Sequence, residues 1–444
     1  MSTEGAALTY VVEPGGALRG TLRVPGDKSI SHRAVMLGSL ADGVSDVTGF
    51  LTGEDCLCTM KAFQAMGVRI EQLGPTHLRI HGVGLGGLRA PAGPLDLGNS
   101  GTSMRLMSGL MAAQDFTTTL TGDSSLSKRP MRRIVDPLRA MGAAIETSDK
   151  GSCPLVISKA PNGLRAIAHE SPVASAQVKS GILLAGLYAE GLTEVREPEA
   201  SRDHTERMLR GFGVEIEARP GYAALHGGQR LKATNIEVPA DISSATFPMV
   251  AAAIVPGSDL TLIAVGINPT RTGIIDILRR MGASIEVGNE RMLGGEPVAD
   301  LRVRGAKLSG ITIGGDVVAN AIDEFPAVFI AAACADGVTT VNDAEELRVK
   351  ESDRIAAMCD GLNALGVSAI AKADGAIITG AGGPTPIGGG TVNSKGDHRI
   401  AMSFAIAALR AAAPITILDC ANVNTSFPGF VALMGGAGLS IREV

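Results

Sequence analysis

From its sequence the chain is expected to be α/β, with two similar halves of three repeats each, and three observations lead there. A helical stretch that ends in glycine and runs into an aliphatic strand occurs six times at near-equal spacing. The copies are AFQAMGVRI at Gly67, PLRAMGAAI at Gly142, MLRGFGVEI at Gly213, ILRRMGASI at Gly282, LNALGVSAI at Gly366 and GGAGLSI at Gly438. Each copy follows an apolar helical segment and a β-branched run, as in SAQVKSGILLAGLYAEG with LTEVREPE, or EFPAVFIAAACADG with VTTVND. Finally, Val24-Pro25-Gly26-Asp27 recurs three repeats later as Val238-Pro239-Ala240-Asp241. Fixed-period self-similarity marks a stacked supersecondary unit. The domains expected are a discontinuous first one, residues 1–24 and 242–444, and an inserted second one, residues 25–241.

Within a repeat the order reads buried helix, strand, exposed helix, strand, strand. The first helix is apolar nearly all round and must be covered on every side, whereas the glycine-terminated helix is amphipathic and turns one face to water. Its closing glycine stands where a helix C-terminus needs the left-handed conformation. Aromatic residues make up only 3% of the chain, with no Trp, beside 57 Gly. Cores must therefore be aliphatic, with small residues letting helices approach closely. The opening strands precede the first Val-Pro junction and are expected to pack with the C-terminal half.

Composition narrows the function. With 40 Lys and Arg against 45 Asp and Glu, the net charge of -5 excludes nucleic-acid or anionic-membrane binding by bulk charge, so any anion site is local. The 6 cysteines form no metal-ligand pattern and read as reduced thiols. No secretory or transit pattern and no apolar run of membrane-spanning length are present, which points to the cytoplasm. Gly82-Val83-Gly84-Leu85-Gly86-Gly87 matches a dinucleotide fingerprint in letters, but LRAPAGP follows and cannot open a helix. Gly26-Asp27-Lys28-Ser29 lacks the rest of a P-loop, so nucleotide use is unsupported.

The informative residues gather where the buried helices begin. They are Lys28, Ser29, His32 and Arg33; Asn99 to Arg105; Ser175 to Lys179; Asp241 to Ser244; Asp323 and Glu324; and Asp397 to Arg399. Ser, Asn and Asp are ordinary N-caps. Lys28, Arg33 and Arg399 are not, because cations there oppose the helix dipole. Helix starts that converge would form an anion site whose extra cations suit a multiply charged ligand. Further basic loops carry Lys128 and Arg129, Arg202, and Lys350 with Arg354. For Lys350, Glu351 and Arg354 the spacing puts two cations on one helix face beside a carboxylate. His32, His204 and His398 share no ligand spacing and read as structural hydrogen-bonders.

The segments VPGDKSISHRA, LGNSGTSMR, SKRPMRR, SAQVKSGILLAG, SRDHTE, IDEFP, ELRVKESDR and DHRIAM resemble the enolpyruvyl transferases, in particular the branch acting on shikimate 3-phosphate. The resemblance runs from residue 24 to about 430. It implies two domains of three βαβαββ repeats with buried parallel helices, an inside-out α/β barrel, and an active site in the cleft between them. It also implies transfer of the enolpyruvyl group of phosphoenolpyruvate to the 5-hydroxyl of shikimate 3-phosphate, with release of phosphate and no cofactor or metal. Carried over by motif position, Lys28, Asp323 and Glu351 would be catalytic, Asp323 taking the hydroxyl proton and either Lys28 or Glu351 serving C3; Lys28 and Asp323 would also bind substrate, Lys28 touching both. Ser29, Arg33, Ser175, Ala176, Gln177, Arg202 and Lys350 would hold the shikimate substrate. Asn99, Gly101, Arg129, Arg354 and Arg399 would hold phosphoenolpyruvate, with Gln177 reaching both ligands. Small-molecule substrates, no nucleic acid or membrane, and a monomer are expected.

Leu106, Ala176 and Asn424 to Pro428 depart from the commoner pattern of this branch and resemble its second, glyphosate-tolerant class, although Gly101 stands where that class has Ala. The nucleotide-sugar branch is disfavoured because no Cys lies between Cys58 and Cys153, and a mere anion-binding scaffold would not need Asp323 and Glu351.

Overall fold

The computed structural model describes residues 8–383 and 386–444. They divide into an inserted unit, Gly26–Pro239 with Leu293–Glu296, and a split unit, Met1–Pro25, Ala240–Met292 and Pro297–Val444. Chain entry and exit lie side by side in each. Asp27 N–H bonds Pro239 O at 2.8 Å in the inserted unit, and Asp241 N–H bonds Pro25 O at 2.9 Å in the split unit.

In the inserted unit the helices are α1 (Lys28–Leu40), α2 (Glu54–Ala65), α3 (Gly101–Met111), α4 (Arg132–Ala140), α5 (Ala176–Gly186) and α6 (His204–Gly211). The split unit continues with α7 (Ile242–Ile254), α8 (Gly273–Arg280), a short α9 (Asp316–Ala319), α10 (Phe325–Cys334), α11 (Arg354–Ala364), α12 (His398–Ala407) and α13 (Phe430–Ala437). There are six four-stranded sheets among the described residues. Each joins a parallel pair of strands to two further strands. In one, Leu95–Asp96 pairs parallel with Thr118–Thr121 around α3, and Leu155–Ser158 and Ala144–Glu146 follow antiparallel. The unit ends close the pattern. Ile236–Glu237 supplies the first strand beside Asp42–Thr48, Arg19–Leu22 pairs with Asp259–Gly266, and Tyr10–Val12 lies between Ile415–Leu418 and Ile441–Glu443.

The repeat glycines behave as their position requires. Gly67, Gly142, Gly213, Gly282, Gly366 and Gly438 all have positive φ, from 80° to 118°. Every residue of α7 and α10 is buried, while α4 and α8 bury one face only. Close approach is also as expected from the small residues. A Cβ on Gly109 of α3 would sit 2.0 Å from Gly181 O of α5, so neither helix tolerates a side chain at that crossing. Each unit has its own aliphatic core. A group of aromatic rings, Tyr10, Phe247, Phe427 and Phe430, fills one part of the split unit.

One feature has no sequence signal. The hairpin of Ser284–Leu293 and Glu296–Arg304 has its tip in the inserted unit, where Glu296 Oε1 lies 2.7 Å from His204 Nδ1, both side chains 2% exposed. Among the described residues no helix is long and apolar enough to cross a membrane.

Candidate active site

In the inserted unit the starts of α1, α3 and α5 lie together and are joined mainly by neutral donors and acceptors. Asp27 caps α1 by accepting from Ile30 N–H at 2.9 Å. Lys28 opens the helix and pairs with Asp55, a buried carboxylate in the first turn of α2. His32 is buried, with Nδ1 2.8 Å from Thr59 Oγ1 and 3.3 Å from Ser103 Oγ. Burial, reinforced by the Lys28 and Arg33 charges, holds its pKa well below the usual histidine value, so it is a neutral hydrogen-bonder. Arg33 donates to Thr205 Oγ1 at 2.6 Å, Ser180 Oγ at 2.8 Å and Ser29 O at 2.9 Å. Burial pushes its pKa down to about 10 against the opposing pull of Glu206 and Asp27, and Arg202 lowers it further. That coupling brings Arg202, just before α6, into the neighbourhood of Arg33.

Amides orient the next two arginines. Arg129 donates to Asn99 Oδ1 at 2.6 Å, and Asn99 in turn donates to Asp123 at 2.7 Å. Arg105 donates to Gln177 Oε1 at 2.7 Å, and Gln177 Nε2 donates to Thr102 Oγ1 at 3.0 Å, which ties the start of α5 to that of α3. A Cβ on Gly101 would meet Arg105 Nη1 at 2.8 Å and Arg129 Nη1 at 3.3 Å, so glycine leaves both guanidinium groups their places. Ser175 caps α5, Ala176 is its first residue, and Ser175 N–H bonds Glu197 Oε1 at 2.6 Å.

The split unit is organised differently, around one arginine. Arg354 is 1% exposed and faces Asp397 at 2.8 Å, Glu351 at 2.6 Å and Asp323 at 3.4 Å. Burial works against its charge, but Asp397, Glu351 and Asp323 more than offset that and raise its pKa above the ordinary arginine value. Lys350 Nζ lies 3.7 Å from the same Asp323 oxygen, and Arg399 donates to Asp323 O at 2.9 Å. Glu324, fully buried, accepts from Ser243 and faces Arg399 at 3.8 Å and Arg271 at 3.9 Å. The starts of α7, α10 and α12 thus meet through Ser243, Glu324 and Arg399.

The expected helix face for Lys350 and Arg354 is corrected. Asp353 caps α11 by accepting from Ala356 N–H at 3.0 Å, so the helix starts at Arg354 and Lys350 closes the separate 3-10 turn Glu345–Val349 ahead of it. Their common neighbour, Asp323, brings the two cations together instead.

A family model described as EPSP synthase (3-phosphoshikimate 1-carboxyvinyltransferase) matches residues 12–434. The chain belongs to the EPSP synthase family. A protein of Methylococcus capsulatus named 3-phosphoshikimate 1-carboxyvinyltransferase is 62% identical over 437 residues, 98% of each chain. One of Alkalilimnicola ehrlichii with the same name is 60% identical over 98% of this chain and 97% of its own. The solved EPSP synthase of Acinetobacter baumannii superposes with a TM-score of 0.89 at 54% identity, covering 99% of this chain and all of that one. The two-part α/β fold is that of EPSP synthases.

Within this family member, the structure places the ten motif residues Lys28, Ser29, Arg33, Asn99, Gly101, Arg129, Ser175, Ala176, Gln177 and Arg202 in the inserted unit. Asp323, Lys350, Glu351, Arg354 and Arg399 lie in the split unit. Sequence reasoning missed Asp55, Glu197 and Arg271, named Glu324 at a helix start without giving it a role, and took Asp397 only as a cap. Asp397 does cap α12, accepting from Arg399 N–H at 2.9 Å, and the same carboxylate holds Arg354 from 43 residues away. Asp55 stands in an acidic first turn on an amphipathic helix, a pattern that reads as solvent-facing, so no local signal marks it.

Proposed function

We infer that the chain carries out its family's reaction, moving the enolpyruvyl group of phosphoenolpyruvate onto the 5-hydroxyl of shikimate 3-phosphate. The observation that carries this reading is the end-to-end likeness to proteins named for that activity. The hydroxyl oxygen bonds C2 of phosphoenolpyruvate while C3 gains a proton. The tetrahedral adduct then loses phosphate and a C3 proton, restoring the double bond. Asp323 takes the hydroxyl proton, and Lys28 or Glu351 serves C3. Arg354, Arg399 and Arg129 hold the phosphoenolpyruvate anion, with Asn99 and Gly101 lining its pocket. Ser29, Arg33, Lys350, Ser175, Ala176, Gln177 and Arg202 hold shikimate 3-phosphate. The close grouping of Asp323, Glu351, Lys350 and Arg354 supports these roles, because a base beside anion-holding cations is what an addition to a charged enol ether needs.

Leu106, Ala176 and Asn424 to Pro428 favour the second, glyphosate-tolerant class, and the enzyme is taken to act as a cytoplasmic monomer. Purified protein given both acids should release inorganic phosphate in amounts equal to the enolpyruvyl product. No release, or release only with a nucleotide sugar as acceptor, overturns the reading. An elution volume in size-exclusion chromatography with light scattering that corresponds to a dimer overturns the monomer.

A further inference from the structure

Behind the first turns of α5 lies a group of buried charges to which the substrate roles above give no task. Lys179 pairs with Glu197 at 3.1 Å and with Glu206 at 2.9 Å, and the three side chains are 4%, 1% and 2% exposed. Glu197 directly follows the strand Leu192–Arg196 and is pinned there by its own N–H, which bonds Gly221 O at 2.9 Å. Its carboxylate takes two donors besides Lys179. Ser175 N–H reaches Oε1 at 2.6 Å, and Ser201 Oγ reaches Oε2 at 2.6 Å. A buried ion pair alone would need only the lysine. The two serine contacts are additional, and both go to backbone segments that carry proposed ligands of one substrate. Ser175 caps the helix that begins Ala176-Gln177, and Ser201 immediately precedes Arg202.

We propose that Glu197 is a positioning residue for shikimate 3-phosphate, tying the start of α5 to the Arg202 loop so that both meet the ligand's phosphate already in place. The assignment rests on the functional reading above. Backbone N–H groups at a helix start bind an anion only when their directions are set, and presetting them removes an ordering cost from binding. A carboxylate near an anion site would repel the ligand unless neutralised, and the structure supplies the neutralising charge. Lys179 keeps its proton because Glu206 and Glu197 outweigh the effect of burial. Arg33, bonded to Thr205 beside Glu206, provides a second cation.

Glu197→Gln keeps the shape but removes the charge and turns one acceptor into a donor. The expected result is a rise of about tenfold in KM for shikimate 3-phosphate, with kcat and KM for phosphoenolpyruvate within about twofold of wild type. A purely structural role would not separate the two substrates. Unchanged KM values in a folded variant, or equal shifts in both, overturn the proposal. If Glu197→Gln does not fold, Ser201→Ala removes one donor and leaves every charge in place. It should raise KM for shikimate 3-phosphate alone by about threefold, and no rise overturns the proposal. Wild-type protein that releases no phosphate from the two acids overturns the functional reading and the proposal with it. Active wild type with unaffected variants overturns the proposal only.

Discussion

The two units use the same repeat and place the same feature, three converging helix starts, at its polar end, yet they fill it with different chemistry. In the inserted unit Arg129 and Arg105 donate to the amides of Asn99 and Gln177, and His32, Thr59, Ser100 and Ser103 form a neutral chain beneath them. In the split unit Arg354 faces three carboxylates, and buried Glu324 takes Ser243 and stands near Arg399 and Arg271. An amide oxygen orients a guanidinium without neutralising it, whereas a carboxylate does both. The inserted unit thus sets these two guanidinium groups against neutral partners, and the split unit sets its buried arginine among carboxylates. Repetition of the fold determines where helix N-termini lie; side-chain choice at those few positions determines what they do.

The sharpest way to break that contrast is Asp323→Asn. Turnover should fall by about 10³-fold, as expected for loss of a general base, while both substrates still bind in titration calorimetry. Turnover near wild type would remove Asp323 as the base that takes the hydroxyl proton. The next effect is on stability. Asp397→Asn deprives buried Arg354 of its fully buried carboxylate partner and should cost about 3 kcal/mol in urea unfolding. An unchanged midpoint would mean that Glu351 and Asp323 suffice.

A third effect tests the neutral character of the inserted unit. His32 is held uncharged when folded but takes a proton near pH 6.5 when unfolded, so the unfolded state gains protons first as pH falls. Stability should therefore decline below about pH 6.5, by at most ~1.4 kcal/mol per pH unit, and His32→Gln should lack that component. Equal pH slopes for the two proteins between pH 7.5 and 5.5 would show that His32 is charged in the fold. The smallest effect is expected from Gly101→Ala, whose methyl presses on the ends of Arg105 and Arg129. Inhibition by glyphosate should weaken several-fold more than KM for phosphoenolpyruvate rises, and equal changes in steady-state competition would sink that selectivity.

Much of the molecule is legible from local pattern. The glycine that closes each exposed helix, the all-apolar buried helices and the Val-Pro echo need only neighbouring residues to be recognised, because helix periodicity and left-handed caps are properties of a few consecutive positions. Lys28, Arg33 and Arg399 were also visible, since cations at helix starts oppose the dipole and so stand out. The shared helix face expected of Lys350 and Arg354 shows the limit of local pattern. Spacing of i and i+4 suggests a shared face, but Asp353 as cap decides where the helix begins.

Sequence alone was enough for the repeat, the burial of its helices and the polar residues that gather at the helix starts. Tertiary structure was needed for the partners that orient them. Asp55 holds Lys28, Asp397 holds Arg354, and Glu197 links Ser175 to Ser201, each across a stretch of chain whose closure no local pattern records. The physical reason is burial. A carboxylate on an amphipathic helix or after a strand reads as solvent-exposed until packing removes the water, and only then must it find a charge or a donor. The net charge of -5 shows the same division, because summed charge says nothing about which cations the folded helices bring to one place.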